Sequence, residues 1–158
     1  QRLHYSSDWL YEMTCLNFLE DITKEKGGIP FPNKVSFISQ NWKKYPALIQ
    51  DSTLVTKIID IEKTINGRTY YYIPKEKVLP FAGQIKTGDI ILITTKKKGL
   101  DTAHVGIAIE NEGQIYLLHA SVSDKKVSVT TETLPDYLQR ITSHSGIMIG
   151  RLINFKSN

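Results

Sequence analysis

The sequence predicts an α+β fold in which N-terminal helices pack on an antiparallel β-sheet. Two observations carry this expectation. In the first part of the chain, apolar residues recur at three- and four-residue spacing over two long stretches. After about residue 85, short β-branched and alternating segments separated by turn residues take over. No linker or internal repeat divides the 158 residues, a length suited to one domain with a substantial core, so residues 1–158 are read as a single domain.

The first helix is expected from about Ser7 to Lys26. Ser6, Ser7 and Asp8 offer capping oxygens, Trp9, Met13, Leu16 and Leu19 form an apolar stripe, and Gly27-Gly28 supplies a left-handed exit. Pro30 and Pro32 break the chain, and Asn33 to Ser39 alternate weakly enough to suggest a short strand. Pro46 to Gln50 is ambiguous. A second helix from Ser52 to Asn66 carries Leu54, Ile58, Ile61 and Ile65 on one stripe and closes at Gly67. Tyrosine-rich Arg68 to Ile73 reads as a strand stopped by Pro74, with a short turn or helix over Lys75 to Pro80. Strands follow at Asp89–Thr94, Ala103–Ile109, Gln114–Ala120 and Val127–Thr130. A short helix runs from Leu134 to Arg140, with Thr133 as cap and Pro135 in its first turn, and a last strand runs from Ile147 to Ile153.

Composition narrows the function classes. The residues are 41% hydrophobic and 23% charged, and the longest purely apolar run, Ile90 to Ile93, is too short for a transmembrane segment. The single cysteine rules out a disulfide within this chain. The formal charge of +4 is compatible with an anionic partner, but Lys96-Lys97-Lys98 lack interleaved aromatics, so a solvated loop is the expected role and no nucleic-acid partner is inferred.

The sharpest geometric expectation concerns two histidines. Glu110-Asn111-Glu112-Gly113 has turn chemistry. A four-residue loop there pairs residues whose numbers sum to 223 and sets His104 opposite His119, with Cβ atoms ~4.5–5.5 Å apart. One imidazole could then take a proton from a nucleophile while the other fixes its tautomer. Spacing alone leaves two other readings open: polar residues on a half-exposed sheet face, or a zinc site. The latter lacks a third ligand at recognisable spacing, since His4 and His144 look isolated.

The series GDI (Gly88 to Ile90), HVGIAI (His104 to Ile109) and LLHAS (Leu117 to Ser121) resembles the NlpC-type, papain-like cell-wall cysteine peptidases. RLHYSSDW at the start, DITKEKGG from Asp21, RTYYYIPKEKV from Arg68, and DKKVSVTTETLPDYL followed by GIMIGR resemble its N-acetylmuramoyl-L-alanine amidase-like branch. The resemblance covers nearly the whole chain. It implies a papain-like fold, amide hydrolysis in the stem-peptide region of peptidoglycan through a thioester, and a peptidoglycan or muropeptide substrate. It also implies a cell-envelope setting, periplasmic or secreted. By the same resemblance His104 is the general base and His119 its orienting partner. No metal or organic cofactor is implied.

One departure from the pattern matters. The family's cysteine lies in a stretch like D-C-T-T-F-V-E upstream of the RLHY-like segment, which here begins at Arg2. The chain starts at Gln1 rather than Met, so it is expected to be the histidine-bearing C-terminal portion of the amidase, inactive by itself, with the nucleophile in a preceding segment. Cys15 falls inside the expected first helix. Amides there are already bonded and do not lower the thiol pKa from ~8.5, so a structural role is expected. The rival readings are a non-catalytic wall-binding module and a protein-interaction domain. His4 and Asp8 could line a groove but are read as capping and surface residues; Asp101 is read as a turn former, and Tyr70 to Tyr72 as packing.

Overall fold

A computed structural model describes residues 3–32, 34–122 and 125–153; Arg2, Asn33 and Asp124 of the stretches quoted above lie outside them. The chain forms a mixed helix and antiparallel-sheet fold, as the sequence predicts. In order the elements are α1 (Ser6–Cys15), β1 (Leu19–Asp21), β2 (Ile29–Pro30), α2 (Phe37–Gln40), α3 (Pro46–Gln50) and α4 (Thr53–Asn66). Then come β3 (Tyr71–Pro74), α5 (Lys75–Phe81), β4 (Ile90–Thr95), β5 (Thr102–Asn111), β6 (Gln114–Ser121), β7 (Lys126–Val129), α6 (Leu134–Arg140) and β8 (His144–Leu152). The strands make one sheet in the order β2-β3-β8-β4-β5-β6-β7, with β1 also paired to β8.

The apolar run of β4 explains its central place. Ile91, Leu92 and Ile93 are completely buried because both faces of the strand are covered. Ile91 and Ile93 join Ile147, Ile149, Leu117, Leu134 and Leu138 in a core beneath α5 and α6. Leu92 and Met148 point the other way, against Leu10 of α1. Each such aliphatic side chain contributes roughly 1.5–3 kcal/mol on burial.

The first helix is shorter than expected. It stops at Cys15 because Asn17 takes a left-handed φ of 60°, and the amides of Asn17 and Phe18 turn back onto the carbonyls of Thr14 and Met13. Leu16 and Leu19 therefore leave the expected stripe; Leu19 begins a strand paired to β8 at Leu152. Cys15 is exposed at the helix's last turn rather than mid-helix. Of the proposed capping oxygens none is used. Tyr5 is the N-cap residue but its side chain bonds none of the helix amides, and the Ser7 amide donates instead to Asp101 Oδ2 at 2.7 Å.

Two further expectations are corrected. The suggested strand over Asn33–Ser39 is one bridging residue, Val35 against Gly99, followed by α2; Asn33 itself lies outside the described residues. In α4 Ile58 and Ile65 are buried, but Ile61 faces solvent and Glu62 is buried in its stead, accepting hydrogen bonds from the Tyr5 hydroxyl at 2.7 Å and the Ser39 amide at 3.1 Å. Gly67 follows that helix at φ −77°, so it needs no left-handed backbone.

Candidate active site

The β5–β6 hairpin positions the two histidines. Its turn is two residues long, not four: Glu112 and Gly113 have φ of 53° and 77°, the doubly positive pattern of a tight hairpin turn. Asn111 thus faces Gln114 and Ile107 faces Leu118, a ladder whose paired numbers sum to 225 rather than 223. His104 and His119 are therefore diagonal neighbours instead of direct partners. The shift is by two residues, which preserves the face of every side chain, and imidazoles are long enough to meet across the diagonal. His104 Nε2 lies 2.8 Å from His119 Nδ1, with the rings nearly perpendicular at 88°.

Both rings sit on the inner face of the sheet. His104 pairs with Ile93, whose side chain is in the core under α6. Tyr137 of α6 packs edge-on against His119, with centroids 5.6 Å apart at 84°. Tyr137 also meets His144, at 5.6 Å. The Arg140 guanidinium lies 5.3 Å from the same Tyr137 ring. The rings form one cluster that reaches the buried His144. His104 is half-buried, and burial followed by the neighbouring His119 holds its pKa below the usual histidine value.

His144, read from the sequence as isolated, belongs to this cluster. Strict alternation from Ile147 and Ile149 would turn it to the opposite face with Met148. The β4–β8 ladder shifts register between Thr94 and Thr95, so Gly146 pairs with Thr94 and His144 with Thr95. Ser145 becomes the extra residue and His144 swings inward. It is 4% exposed, and its Nδ1 has no hydrogen-bond partner among the described residues. Burial, then the charges of His104, Lys75 and Arg140, push its pKa down to about 4. Tyr137 and Arg140 were likewise not singled out; their signal was the spacing that puts both on α6 one turn apart.

Two grooves meet at His104. One, of about 370 Å³, runs toward α6 and is lined by His104, His119, Tyr137, Arg140, Glu132 and hydroxyls of Ser128, Thr130 and Thr131. The other, of about 310 Å³, runs toward α1 and is lined by His104, His4, Tyr5, Tyr45 and Asp101. Cys15 lines neither. Of the minor candidates, His4 does face a groove, whereas Asp8 forms an ion pair with Arg68. Asp101 is more than a turn former. It is 2% exposed and accepts from the amides of Ser7 and Thr102, each at 2.7 Å. Tyr70 and Tyr72 pack beside the α1 core, as expected. Among the described residues no group of three His, Cys, Asp or Glu side chains is arranged to hold a metal ion, and no helix is long and apolar enough to cross a membrane.

Comparison with known proteins gives this geometry a context. A family model described as AmiA-like, N-acetylmuramoyl-L-alanine amidase-like, matches residues 1–147. An N-acetylmuramoyl-L-alanine amidase from Bacteroides uniformis superposes with a TM-score of 0.89 at 36% identity, covering 97% of this chain and 65% of that one. A Bacteroides fragilis structure provisionally named as a xylanase gives 0.88 at 37% identity, covering 96% and 66%. A Legionella pneumophila protein with a TM-score of 0.68 at 21% identity, covering 97% of this chain and 62% of its own, shares the fold. The chain thus spans about 65% of the length of the amidase it resembles. No curated protein matches.

Proposed function

Since the chain belongs to the AmiA-like, N-acetylmuramoyl-L-alanine amidase-like family, we propose that it is the histidine-bearing part of an enzyme that hydrolyses an amide bond in the stem-peptide region of peptidoglycan. The observation that carries this reading is the 2.8 Å contact between His104 Nε2 and His119 Nδ1 on the wall shared by two grooves. A polymeric substrate can lie across that wall with its scissile bond at His104.

In this reading the contact selects the tautomer. If His104 donates its Nε2–H to His119 Nδ1, then His104 Nδ1 is the unprotonated nitrogen and His119 carries its own proton on Nε2. A cysteine thiol gives its proton to His104 Nδ1, and the thiolate attacks the amide carbonyl carbon. The imidazolium then protonates the leaving amine as the C–N bond breaks, leaving a thioester. Water, deprotonated by the same nitrogen, cleaves the thioester and restores the thiol. His119 accepts throughout from the His104 Nε2–H, a bond that strengthens when His104 is charged.

The nucleophile in this proposal is a cysteine outside the 158 residues. Cys15 is exposed at the C-terminal end of α1, where the helix dipole disfavours an anion, and it lines neither groove. The papain-like, NlpC-type assignment and a cell-envelope site of action belong to the same proposal. A glycosidase reading has less support. Glycoside hydrolysis uses two carboxyl groups flanking the bond, and the groove carboxylates here are engaged, Glu132 by Arg140 and Asp101 by two backbone amides.

The full-length protein carrying Cys15→Ser tests the thiol. It should still release peptide from muropeptides and should lose activity on alkylation, with protection by substrate. Activity that vanishes in Cys15→Ser, or that survives complete alkylation, would overturn the assignment. Saturable muropeptide binding without turnover would favour a wall-binding module instead.

A further inference from the structure

The groove toward α6 carries a charge pair whose place relative to the histidines suggests a use. Arg140 ends α6 and presents Nε and Nη2 to Glu132, at 2.8 Å and 2.5 Å from Oε1. The guanidinium side chain remains 59% exposed, and both residues line the groove that contains His104 and His119. An exposed ion pair of this kind adds little to stability, so folding does not account for it. Its geometric effect is to orient the planar fork. Glu132 on one edge and the Tyr137 ring at 5.3 Å flank the guanidinium, and the Nη1 edge is not used by the bonds to Glu132. A fork oriented this way offers its remaining edge to a planar anion.

The distance fits a peptide held at His104. Tyr137 contacts both Arg140 and His119, at 5.3 Å and 5.6 Å. With the His119 and His104 rings 4.9 Å apart, these put the guanidinium within about 16 Å of the His104 ring, a length that up to roughly five extended residues cover at about 3.3–3.6 Å each. The remaining lining mixes Ser and Thr with Val122, Val129 and Ile141, a surface that a peptide of mixed polarity can follow.

We propose that this groove is the subsite for a free carboxylate of the substrate's peptide part, within about five residues of the scissile amide, with Arg140 as its ligand and Glu132 as the residue that orients Arg140. The proposal rests on the amidase reading for the position of the scissile bond. Glu132 adds selectivity: an anion reaching Arg140 must approach from the edge Glu132 does not occupy, and an ammonium group beside that anion gains Glu132 as a partner.

The test uses the full-length protein and paired synthetic muramoyl peptides that differ only in carrying a free carboxylate or its carboxamide. A hydrogen-bonded charge pair predicts a carboxylate-over-carboxamide preference in kcat/KM of ~10–100-fold. In Arg140→Gln that ratio should fall to near one, and in Arg140→Lys, which keeps the charge and loses the fork, it should be intermediate. A wild-type ratio near one, or an unchanged ratio in Arg140→Gln, would overturn the subsite. Calorimetric titration of the same peptides keeps the two proposals separable. If no peptide is hydrolysed yet the carboxylate form binds tighter by an Arg140-dependent margin, the amidase reading fails and the subsite stands.

Discussion

His144 supplies a prediction whose size follows from its surroundings. The imidazole is 4% exposed, its Nδ1 lacks a partner among the described residues, and its pKa is pushed down to about 4 in the folded protein. In the unfolded chain it titrates near 6.5. Between those values the unfolded state takes up a proton that the folded state does not, so stability is fully present above pH 6.5 and falls as the pH drops. For a shift of this size the loss is about 2 kcal/mol at pH 5 and approaches about 3 kcal/mol below pH 4. For a domain of this length 2 kcal/mol corresponds to roughly 4–8 °C in Tm. His104, also held below its ordinary value, adds in the same direction. Paired carboxylates lose stability in acid as well, so the assay compares variants: urea denaturation of wild type and His144→Phe at pH 7.5 and pH 5. Phenylalanine keeps a ring against Tyr137 and removes the titration, so the variant should lose about 2 kcal/mol less than wild type over that interval, whatever its stability at pH 7.5. Parallel pH dependence in the two proteins would refute the claim that His144 is buried in its neutral form.

Three other perturbations follow from named contacts. His119→Ala in the full-length enzyme removes the acceptor from a hydrogen bond that becomes charged in the reaction, so kcat should fall ~10–100-fold with an unchanged circular dichroism spectrum; undiminished turnover would remove His119 from the mechanism. Asp101→Ala leaves the Ser7 amide at the start of α1 without its acceptor and should lower unfolding free energy by about 1–3 kcal/mol, read from the denaturant midpoint. In Gly146→Ala the new Cβ would stand 2.0 Å from the Ile73 carbonyl oxygen across the β3–β8 pair, which predicts a loss of about 3 kcal/mol or more, or failure to fold; near-wild-type stability would show that the two strands can separate there.

The elements that the sequence made legible are those whose signals are local. The last helix begins and ends at the expected residues because Thr133 accepts from the Asp136 amide and Pro135 sits in its first turn. The second long helix and the central strands carry their own periodicity. What was missed depended on partners far along the chain or on single backbone angles. The first helix is shorter than its apolar pattern predicts because Leu16 and Leu19 continue the stripe in sequence, whereas Asn17 ends the helix and β8, more than 120 residues later, takes up Leu19. The site was partly legible: the hairpin brought His104 and His119 to one face, but its two-residue turn made the contact diagonal. His144 was hidden by the register shift beside Ser145, which no alternation rule anticipates. Tyr137 and Arg140 join the site only through the packing of α6 on the sheet.

The central claim is that His104 works as the general base of a cysteine-type amidase, and it is tested most directly by following peptide release from purified muropeptides by the full-length protein and its His104→Ala variant. The account predicts steady turnover by the first and a loss of at least ~10²-fold in the second, with equal thermal stability. Turnover by His104→Ala within a few-fold of wild type would contradict it.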